Sequence, residues 1–197
     1  MSIHPVRSSD TLLQLLRESD RPLRISILGA CGSGKSTLAE HLARELAVPA
    51  YHLDEFFWLP GWAGRSDPDM AKMIREVIKQ NRWIIDGNYT RFQPIIRERV
   101  EVIIWLNYGF WTTFRQLWQR TIPRARARAE VFPGCRNSLR QQFADRNSIF
   151  MIFLRIFWRH RRRNRAFFDQ PAIQQRWMLI EVNDPRHVHF SAERVVE

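Results

Sequence analysis

The chain has 197 residues, 45% of them hydrophobic, and its 31 Lys and Arg against 20 Asp and Glu give a formal net charge of +11. This length and composition predict a single domain with one sizeable core. The sequence contains no stretch of 18 uninterrupted apolar residues, and its first twenty residues are mixed polar, so neither a membrane span nor a secretory signal is expected. The two cysteines, Cys31 and Cys135, lack the pattern of a disulfide framework, and we expect a cytoplasmic protein.

The positive charge is concentrated in one part of the chain. Fourteen arginines lie between Arg115 and Arg165, against only Glu130 and Asp145, so this segment carries an excess of +12 and the rest sums to −1. A bias in composition alone would scatter arginines evenly along the chain. The clustering therefore indicates a local cause.

The first predicted elements are a helix, a strand and a second helix. The helix Thr11–Glu18 belongs to an N-terminal extension at residues 1–22, and a main domain is expected at residues 23–197. The β-branched run Arg24–Leu28 predicts a buried strand, and apolar residues at helical spacing predict a helix over Ser36–Leu46.

The segment joining this strand to this helix has the phosphate-binding pattern G-x-x-x-x-G-K-[ST]. Such a loop binds phosphates through backbone N–H groups, a lysine for the β- and γ-phosphates and a hydroxyl for Mg²⁺, at a helix N-terminus that faces the anion. We therefore predict binding of ATP with Mg²⁺. The predicted nucleotide-binding residues are Gly29, Ala30, Cys31, Gly32, Ser33, Gly34, Lys35, Ser36 and Thr37.

Four more strands are predicted further along the chain, at Ala50–Asp54, Trp83–Asp86, Glu101–Leu106 and Trp177–Val182. A helix over residues 67–81 begins with Asp67 as its N-cap and Pro68 at its first position. Strands that alternate with helices predict an α/β fold with a parallel sheet covered on both faces. Ligands of such sheets bind beyond the carboxyl ends of the strands, where Gly29, Asp54 and Asp86 all fall.

Two carboxylates at these strand ends are candidates for catalysis. If the five strands lie in the order 2-3-1-4-5, Asp86 is beside the phosphate loop and can hold the Mg²⁺ that Ser36 contacts. Asp54 can orient or deprotonate an acceptor hydroxyl. The alternative for both aspartates is an ordinary role in a turn or a helix cap.

The segment from about 108 to 170 is too long for an ordinary crossover and predicts an inserted helical arm. Arg120 and Arg124 in this arm are candidate lid arginines that neutralise charge on a transferring phosphoryl group, with a solvated basic face as the alternative. The cluster Arg159–Arg165 is either a nucleic-acid contact or an exposed helix face.

The arm also contains an apolar run and two tryptophans, for which the sequence predicts burial. For the apolar run Ile149–Trp158 we expect burial against the domain or a dimer partner, with a membrane-surface helix as the lesser alternative. Trp111 and Trp118 are expected in the core.

Four segments together resemble a known family. They are Ile27–Ala39, Tyr51–Trp58, Trp83–Tyr89 and Pro133-Gly134-Cys135, and they are similar to those of adenylate-kinase-related P-loop proteins of the DNA topology modulation protein type. The resemblance implies a nucleoside-monophosphate-kinase-like fold of the P-loop NTPase class, ATP and Mg²⁺ as cofactors, and a lid in the inserted arm. Adenylate kinases follow Asp-Gly with Phe-Pro-Arg, whereas this chain continues Asn88-Tyr89-Thr90-Arg91, which leaves the acceptor open.

These patterns predict a P-loop kinase or ATPase that acts on a small-molecule acceptor. Lys35, Asp54, Asp86, Arg120 and Arg124 are the predicted catalytic residues, and Ser36 and Asp86 the predicted Mg²⁺ ligands. The alternatives are a nucleic-acid-binding ATPase that uses Arg159–Arg165, and a nucleotide-gated regulator without efficient turnover. Either a monomer or a homodimer is compatible with the sequence.

Overall fold

A six-stranded parallel sheet forms the centre of the protein. The computed structural model describes residues 3–136 and 148–188. The strands of this sheet, in chain order, are β1 (His4–Pro5), β2 (Arg24–Gly29), β3 (Ala50–His52), β6 (Trp83–Asp86), β7 (Val102–Leu106) and β10 (Met178–Val182). Their order across the sheet is β1-β10-β7-β2-β6-β3, with every neighbouring pair parallel.

This arrangement confirms the predicted fold class and the predicted order of the five main strands. The two central strands, β7 and β2, have the continuous burial that is typical of a parallel sheet covered by helices on both faces. All five residues of β7 are buried, as are the last five of β2, because helices pack on both faces of the sheet. The carboxyl ends of β2, β6 and β3 therefore lie side by side at one edge, where the phosphate loop begins.

Eight α-helices lie within the described residues. They are α1 (Ser9–Arg17), α2 (Lys35–Leu46), α3 (Leu53–Phe57), α4 (Asp67–Ile78), α5 (Gln93–Ile96), α6 (Phe110–Arg126), α7 (Ile149–Phe168) and α8 (Pro171–Arg176). Two short antiparallel hairpins lie outside the central sheet, β4 (Trp58–Leu59) with β5 (Ala63–Gly64) and β8 (Glu130–Phe132) with β9 (Cys135–Arg136).

The N-terminal segment packs onto the main core. Leu12 and Leu16 of α1 are buried in the same apolar cluster as Leu38 and Leu42 of α2. Ser8 caps α1 because its side chain accepts a hydrogen bond from the Thr11 N–H. The strand β1, which pairs with β10, was not predicted, since a two-residue strand leaves no periodic signal in the sequence.

The structure corrects the sequence prediction at three other places. The strand expected at Ala50–Asp54 ends at His52, and Asp54 lies in the first turn of α3. The N-cap of α4 is Ser66 rather than Asp67, because the Ser66 side chain accepts from the Asp69 N–H. Trp111 and Trp118, expected in the core, are 77% and 44% exposed.

The inserted arm contains the long helices α6 and α7. The phenylalanines of α7 that face α6, Phe153 and Phe157, are buried with Leu117 in an apolar cluster of their own. Part of the arm, residues 137–147 with Asp145, lies outside the described residues. Within the described residues, no helix is both long enough and apolar enough to cross a membrane.

Candidate nucleotide-binding and phosphoryl-transfer site

The phosphate loop connects β2 to α2 at the carboxyl edge of the sheet. Gly32 and Gly34 have φ values of +83° and +84°, a region of backbone conformation that favours glycine. These turns carry the chain around the N-terminus of α2, where backbone N–H groups without helical partners can bind phosphate oxygens. The Lys35 ammonium lies over the loop and donates a hydrogen bond to the Ala30 carbonyl oxygen at 3.0 Å.

The arm packs directly against this loop. A Cβ placed on Gly32 would come within 2.7 Å of the Leu117 Cβ, so α6 lies as close to the loop backbone as glycine permits. The loop therefore needs glycine at this position for two independent reasons, the positive φ and the contact with Leu117.

We expect Gly32→Ala to destabilise the protein by about 1–3 kcal/mol, because both backbone strain and overpacking act at this position. Urea unfolding of the two proteins measures the difference. Gly61→Ala is the matched control, since Gly61 also has a positive φ, +73°, but an added Cβ there meets no atom within 4 Å, so this variant measures the backbone strain alone. Equal stability of Gly32→Ala and wild type would contradict the close packing of α6 on the loop.

Ser36, Asp86 and His52 form a hydrogen-bonded chain beside the loop. The Ser36 Oγ donates to the Asp86 Oδ2 at 2.7 Å, and the His52 Nδ1 lies 2.8 Å from the Asp86 Oδ1. Asp86 is buried, and its hydrogen bond raises the pKa of His52 despite the partial burial of the imidazole. The structure thus brings together the two predicted Mg²⁺ ligands, Ser36 and Asp86, and adds His52, which the sequence did not predict.

Asp54 lies in the first turn of α3, two residues after His52. Its Oδ1 accepts a hydrogen bond from the Tyr89 hydroxyl at 2.7 Å. Burial, assisted by the charge and the hydrogen bond of Asp54, raises the pKa of Tyr89. Burial also raises the pKa of the half-buried Cys31 thiol, with Lys35 opposing and Asp54 assisting the shift. The charges of Lys35 and Asp54 therefore both act on the Cys31 side chain of the loop.

Arg120 is the arginine of the arm whose charge acts on Cys31 and Asp54. Its side chain is solvent-exposed, yet nearby protein atoms partly desolvate the guanidinium and lower its pKa, an effect increased by Arg124 and opposed by Cys31 and Asp54. Arg124 is exposed one turn further along α6. The structure therefore places Arg120 within electrostatic reach of the loop and Asp54, with Arg124 as its neighbour.

Asn88 ties the loop to the segment that follows β6. Its Oδ1 accepts from the Gly29 N–H at 3.2 Å, and its Nδ2 donates to the Gly29 carbonyl oxygen. These two bonds hold the Asp86–Tyr89 segment against the start of the phosphate loop. Sequence reasoning noted the segment Trp83–Tyr89 but assigned no role to Asn88.

The second arginine cluster does not form one common surface. Arg165 pairs with Glu181 through two hydrogen bonds, and Arg163 donates to the Thr90 hydroxyl. Arg161 lines a cleft beside the loop, whereas Arg159 and Arg162 are exposed. Two of the five arginines are thus engaged with the protein itself.

The cleft beside Arg161 adjoins the phosphate loop at Ala30. It has a volume of about 20 Å³ and is lined by Ala30 together with Asn107, Tyr108, His160 and Asn164. Burial, followed by the charges of Arg163 and Arg159, lowers the pKa of His160 to about 4. His160 is therefore neutral at pH 7.

We expect the stability of the protein to fall as the pH drops from about 6.5 to about 4. In this range the His160 side chain takes up a proton in the unfolded chain but not in the folded one, so acid favours unfolding. Urea unfolding at several pH values should show that the free energy of unfolding falls less steeply with decreasing pH for His160→Gln than for wild type. His187→Gln, at a half-buried position outside the arm, is the control, and identical slopes for wild type and His160→Gln would contradict the assignment of this pH dependence to His160.

The residues of the loop fit ATP with Mg²⁺. The Ser33 Oγ is buried and has no hydrogen-bond partner among the described residues, and the space beside Gly34, at the start of α2, is open to a ligand. Mg²⁺ prefers oxygen ligands, which Ser36 and Asp86 supply. Since no group of three His, Cys, Asp or Glu side chains in residues 3–136 and 148–188 could hold a metal, Mg²⁺ would rely on phosphate and water oxygens for its other ligands.

The sheet order and the loop together define a P-loop fold of the NTPase class. No protein-family model matches the chain, and no curated protein sequence matches it. Among solved structures, the chain is similar to a gluconokinase from Sinorhizobium meliloti (16% identity, 85% of this chain and 87% of that one, TM-score 0.48). It is also similar to the shikimate kinase from Bacteroides thetaiotaomicron (19%, 84% and 92%, 0.48) and to that from Aquifex aeolicus (14%, 81% and 84%, 0.44). At such identities and TM-scores, the reaction has to be inferred from the residues of the chain itself.

Proposed function

We propose that the protein is a P-loop kinase that transfers the γ-phosphoryl group of ATP to a small hydroxylated acceptor. The observation that carries the proposal is the pair Ser36 and Asp86, joined at 2.7 Å immediately beside Lys35 and the phosphate loop. A hydroxyl at the start of the loop helix and a carboxylate at the end of the neighbouring strand are the two oxygen donors that hold Mg²⁺ in P-loop enzymes. When bound, ATP with Mg²⁺ supplies the phosphoryl group and a cation that neutralises its charge.

The residues around the loop have separate roles in binding the phosphates and the metal. Backbone N–H groups of residues 29–36 hold the phosphates, and Lys35 provides a positive charge at the β- and γ-phosphates. Ser36 and Asp86 hold the metal, and His52 positions Asp86 by bonding its second carboxylate oxygen. This arrangement is set by β2, β6 and β3, so that it is in place before any ligand binds.

The acceptor side is formed by Asp54 and Arg120. Asp54 is exposed and fixed by the Tyr89 hydroxyl, which leaves its other oxygen, Oδ2, to accept a hydrogen bond from an acceptor hydroxyl. Arg120 approaches from α6 and can neutralise charge on the transferring group. The segment after Asp86 carries Tyr89 and Arg91 and borders the same space, and so it contributes to the choice of acceptor. Both cysteines are free thiols, in keeping with a reducing, cytoplasmic location.

The test of this proposal is a screen for ATP consumption with nucleosides, nucleotides and small hydroxylated metabolites as acceptors. ADP formation that depends on both Mg²⁺ and one class of acceptor is the expected result. An equal, slow rate with every acceptor and without any would overturn the kinase assignment and favour a nucleotide-gated regulator.

With the best acceptor, we expect Asp86→Asn to lower kcat by about a hundredfold and to change the affinity for ATP much less. Metal support matters most when charge develops on the transferring group, so losing the carboxylate raises the barrier more than it weakens binding. Steady-state kinetics and calorimetry separate the two effects. Asp10→Asn, an exposed aspartate of α1, is the control, and a wild-type kcat in Asp86→Asn would remove Asp86 from the mechanism.

A further inference from the structure

The outer side of the arm exposes large apolar side chains where α6 and α7 lie together. We name this surface the tryptophan face. It comprises every large hydrophobic residue that is exposed in the described part of the chain, namely Trp111, Trp118, Met151, Ile152, Leu154 and Trp158. Trp111 is 77% exposed, Trp158 52% and Leu154 48%. A contiguous exposed surface of large apolar side chains marks a site of interaction.

Ring contacts show that the face is continuous across both helices. Trp158 of α7 stacks on Phe110 of α6, with ring centroids 6.1 Å apart and planes 2° from parallel. Phe110 in turn contacts Trp111, at 5.1 Å. At the other end, Trp118 of α6 contacts Phe150 of α7 at 5.5 Å. The tryptophans are therefore held in place by the aromatic core of the arm and form one preformed surface.

Arginines surround the same face. Arg155 and Arg162 precede and follow Trp158 by three and four residues, which puts them on its side of α7, and both are exposed. Arg115 lies between Trp111 and Trp118 on α6 and is exposed as well. Aromatic and aliphatic tips ringed by guanidinium groups are typical of helices that lie in a membrane interface, where tryptophan sits at headgroup level and arginine binds anionic lipid.

We propose that the tryptophan face docks the protein onto the surface of an anionic lipid bilayer. Charge complementarity selects this occupant, since the face belongs to the segment with an excess of +12, and two copies placed face to face would repel each other. A polynucleotide would also satisfy the arginines, but Met151, Ile152 and Leu154 have no planar group on which a base can stack. Acyl chains match these three side chains, and headgroup phosphates match the arginines.

Docking in this way leaves the phosphate loop accessible. The side of α6 that contacts the loop carries the buried Leu117, which packs on Gly32, whereas Trp111 and Trp118 are exposed to solvent. The helices are already folded and packed, so binding needs no new secondary structure. The protein would therefore bind the bilayer peripherally while its nucleotide site stays open to solvent.

The test is cosedimentation of the full chain with vesicles of phosphatidylcholine alone and with vesicles that contain phosphatidylglycerol. We expect the anionic vesicles to bind at least about tenfold more tightly, because each arginine near an anionic surface adds to the affinity. Two variants should each weaken this binding by about tenfold or more: Arg155→Gln with Arg162→Gln, and Trp111→Gln with Trp158→Gln. Trp111→Phe with Trp158→Phe should retain most of it, and circular dichroism checks that each variant is folded.

The matched charge control is Arg7→Gln with Arg44→Gln, which removes two exposed arginines outside the arm and should leave vesicle binding unchanged. Equal binding to both kinds of vesicle, or binding that neither variant pair weakens, overturns the proposal. A wild-type dimer that Trp111→Gln with Trp158→Gln dissociates, without vesicle binding, would assign the face to a second copy. Polynucleotide binding that depends on Arg155 and Arg162, again without vesicle binding, would assign it to nucleic acid, and both results overturn the proposal.

Discussion

Replacement of Lys35 by alanine is expected to abolish measurable binding of ATP with Mg²⁺ and to lower the phosphoryl-transfer rate by a factor on the order of 10²–10³. The ammonium lies over the loop, 3.0 Å from the Ala30 carbonyl oxygen, and would supply the point charge at the β- and γ-phosphates. Alanine removes this charge without disturbing the apolar core, since Lys35 belongs to neither of the two clusters that pack on the sheet. Isothermal titration calorimetry measures the loss of binding.

The matched control for this experiment is Lys72→Ala. Lys72 is an exposed lysine on α4, so its removal changes the net charge by the same amount and leaves the loop intact. Circular dichroism should be the same for both variants and wild type. An unchanged affinity for ATP in Lys35→Ala would show that the loop does not bind the nucleotide.

The second large effect is expected at Arg120. If the arm acts as a lid, Arg120→Ala should lower the transfer rate by about a thousandfold, because an arginine directed at the transferring phosphoryl group stabilises the charge of the transition state. Arg124→Ala should have a smaller effect, since the charge of Arg120 acts on Cys31 of the loop whereas that of Arg124 acts on Arg120. Arg126→Ala, near the end of α6, serves as the control on the same helix. Single-turnover kinetics separate this loss from any change in nucleotide binding.

The distal cluster Arg159–Arg165 distinguishes the lid from the nucleic-acid alternative. Under the lid hypothesis, neutralising these arginines leaves the transfer rate close to that of wild type. Under the alternative, wild type binds polynucleotides with an affinity that falls steeply with salt, and the neutralised variant loses this binding. The pairing of Arg165 with Glu181 and the bond from Arg163 to Thr90 favour the lid, because these two arginines are already engaged. Binding measured at two salt concentrations decides between the two.

The predictions that the structure confirmed came from a local motif and from the alternation of strands with helices. The loop Gly29–Ser36 could be predicted because its chemistry depends on a short run of residues whose order alone specifies the geometry. The approach of Asp86 to Ser36 followed from the strand order, since parallel neighbours end at the same edge. The order of the five main strands was confirmed, and with it the contact between these two side chains.

Other features depend on contacts between distant parts of the chain and left no local signal. His52 meets Asp86 because β3 pairs with β6 in the register that sets these two residues opposite each other. Asp54 was placed at a strand end, but β3 stops after three residues and the fully buried Leu53 begins a helix instead. Tryptophan at helical spacing indicated burial, yet the side of α6 that packs inward is the one bearing Leu117.

³¹P NMR of ATP and Mg²⁺ incubated with the wild-type protein and the acceptor found by screening tests the proposed phosphoryl transfer itself. We expect the γ-phosphate signal to disappear while signals of ADP and of a phosphate ester of the acceptor appear in equal amounts. Lys35→Ala and Asp86→Asn should slow all three changes together. The appearance of ADP with inorganic phosphate alone, at the same rate with and without acceptor, would rule out the kinase and identify an ATPase.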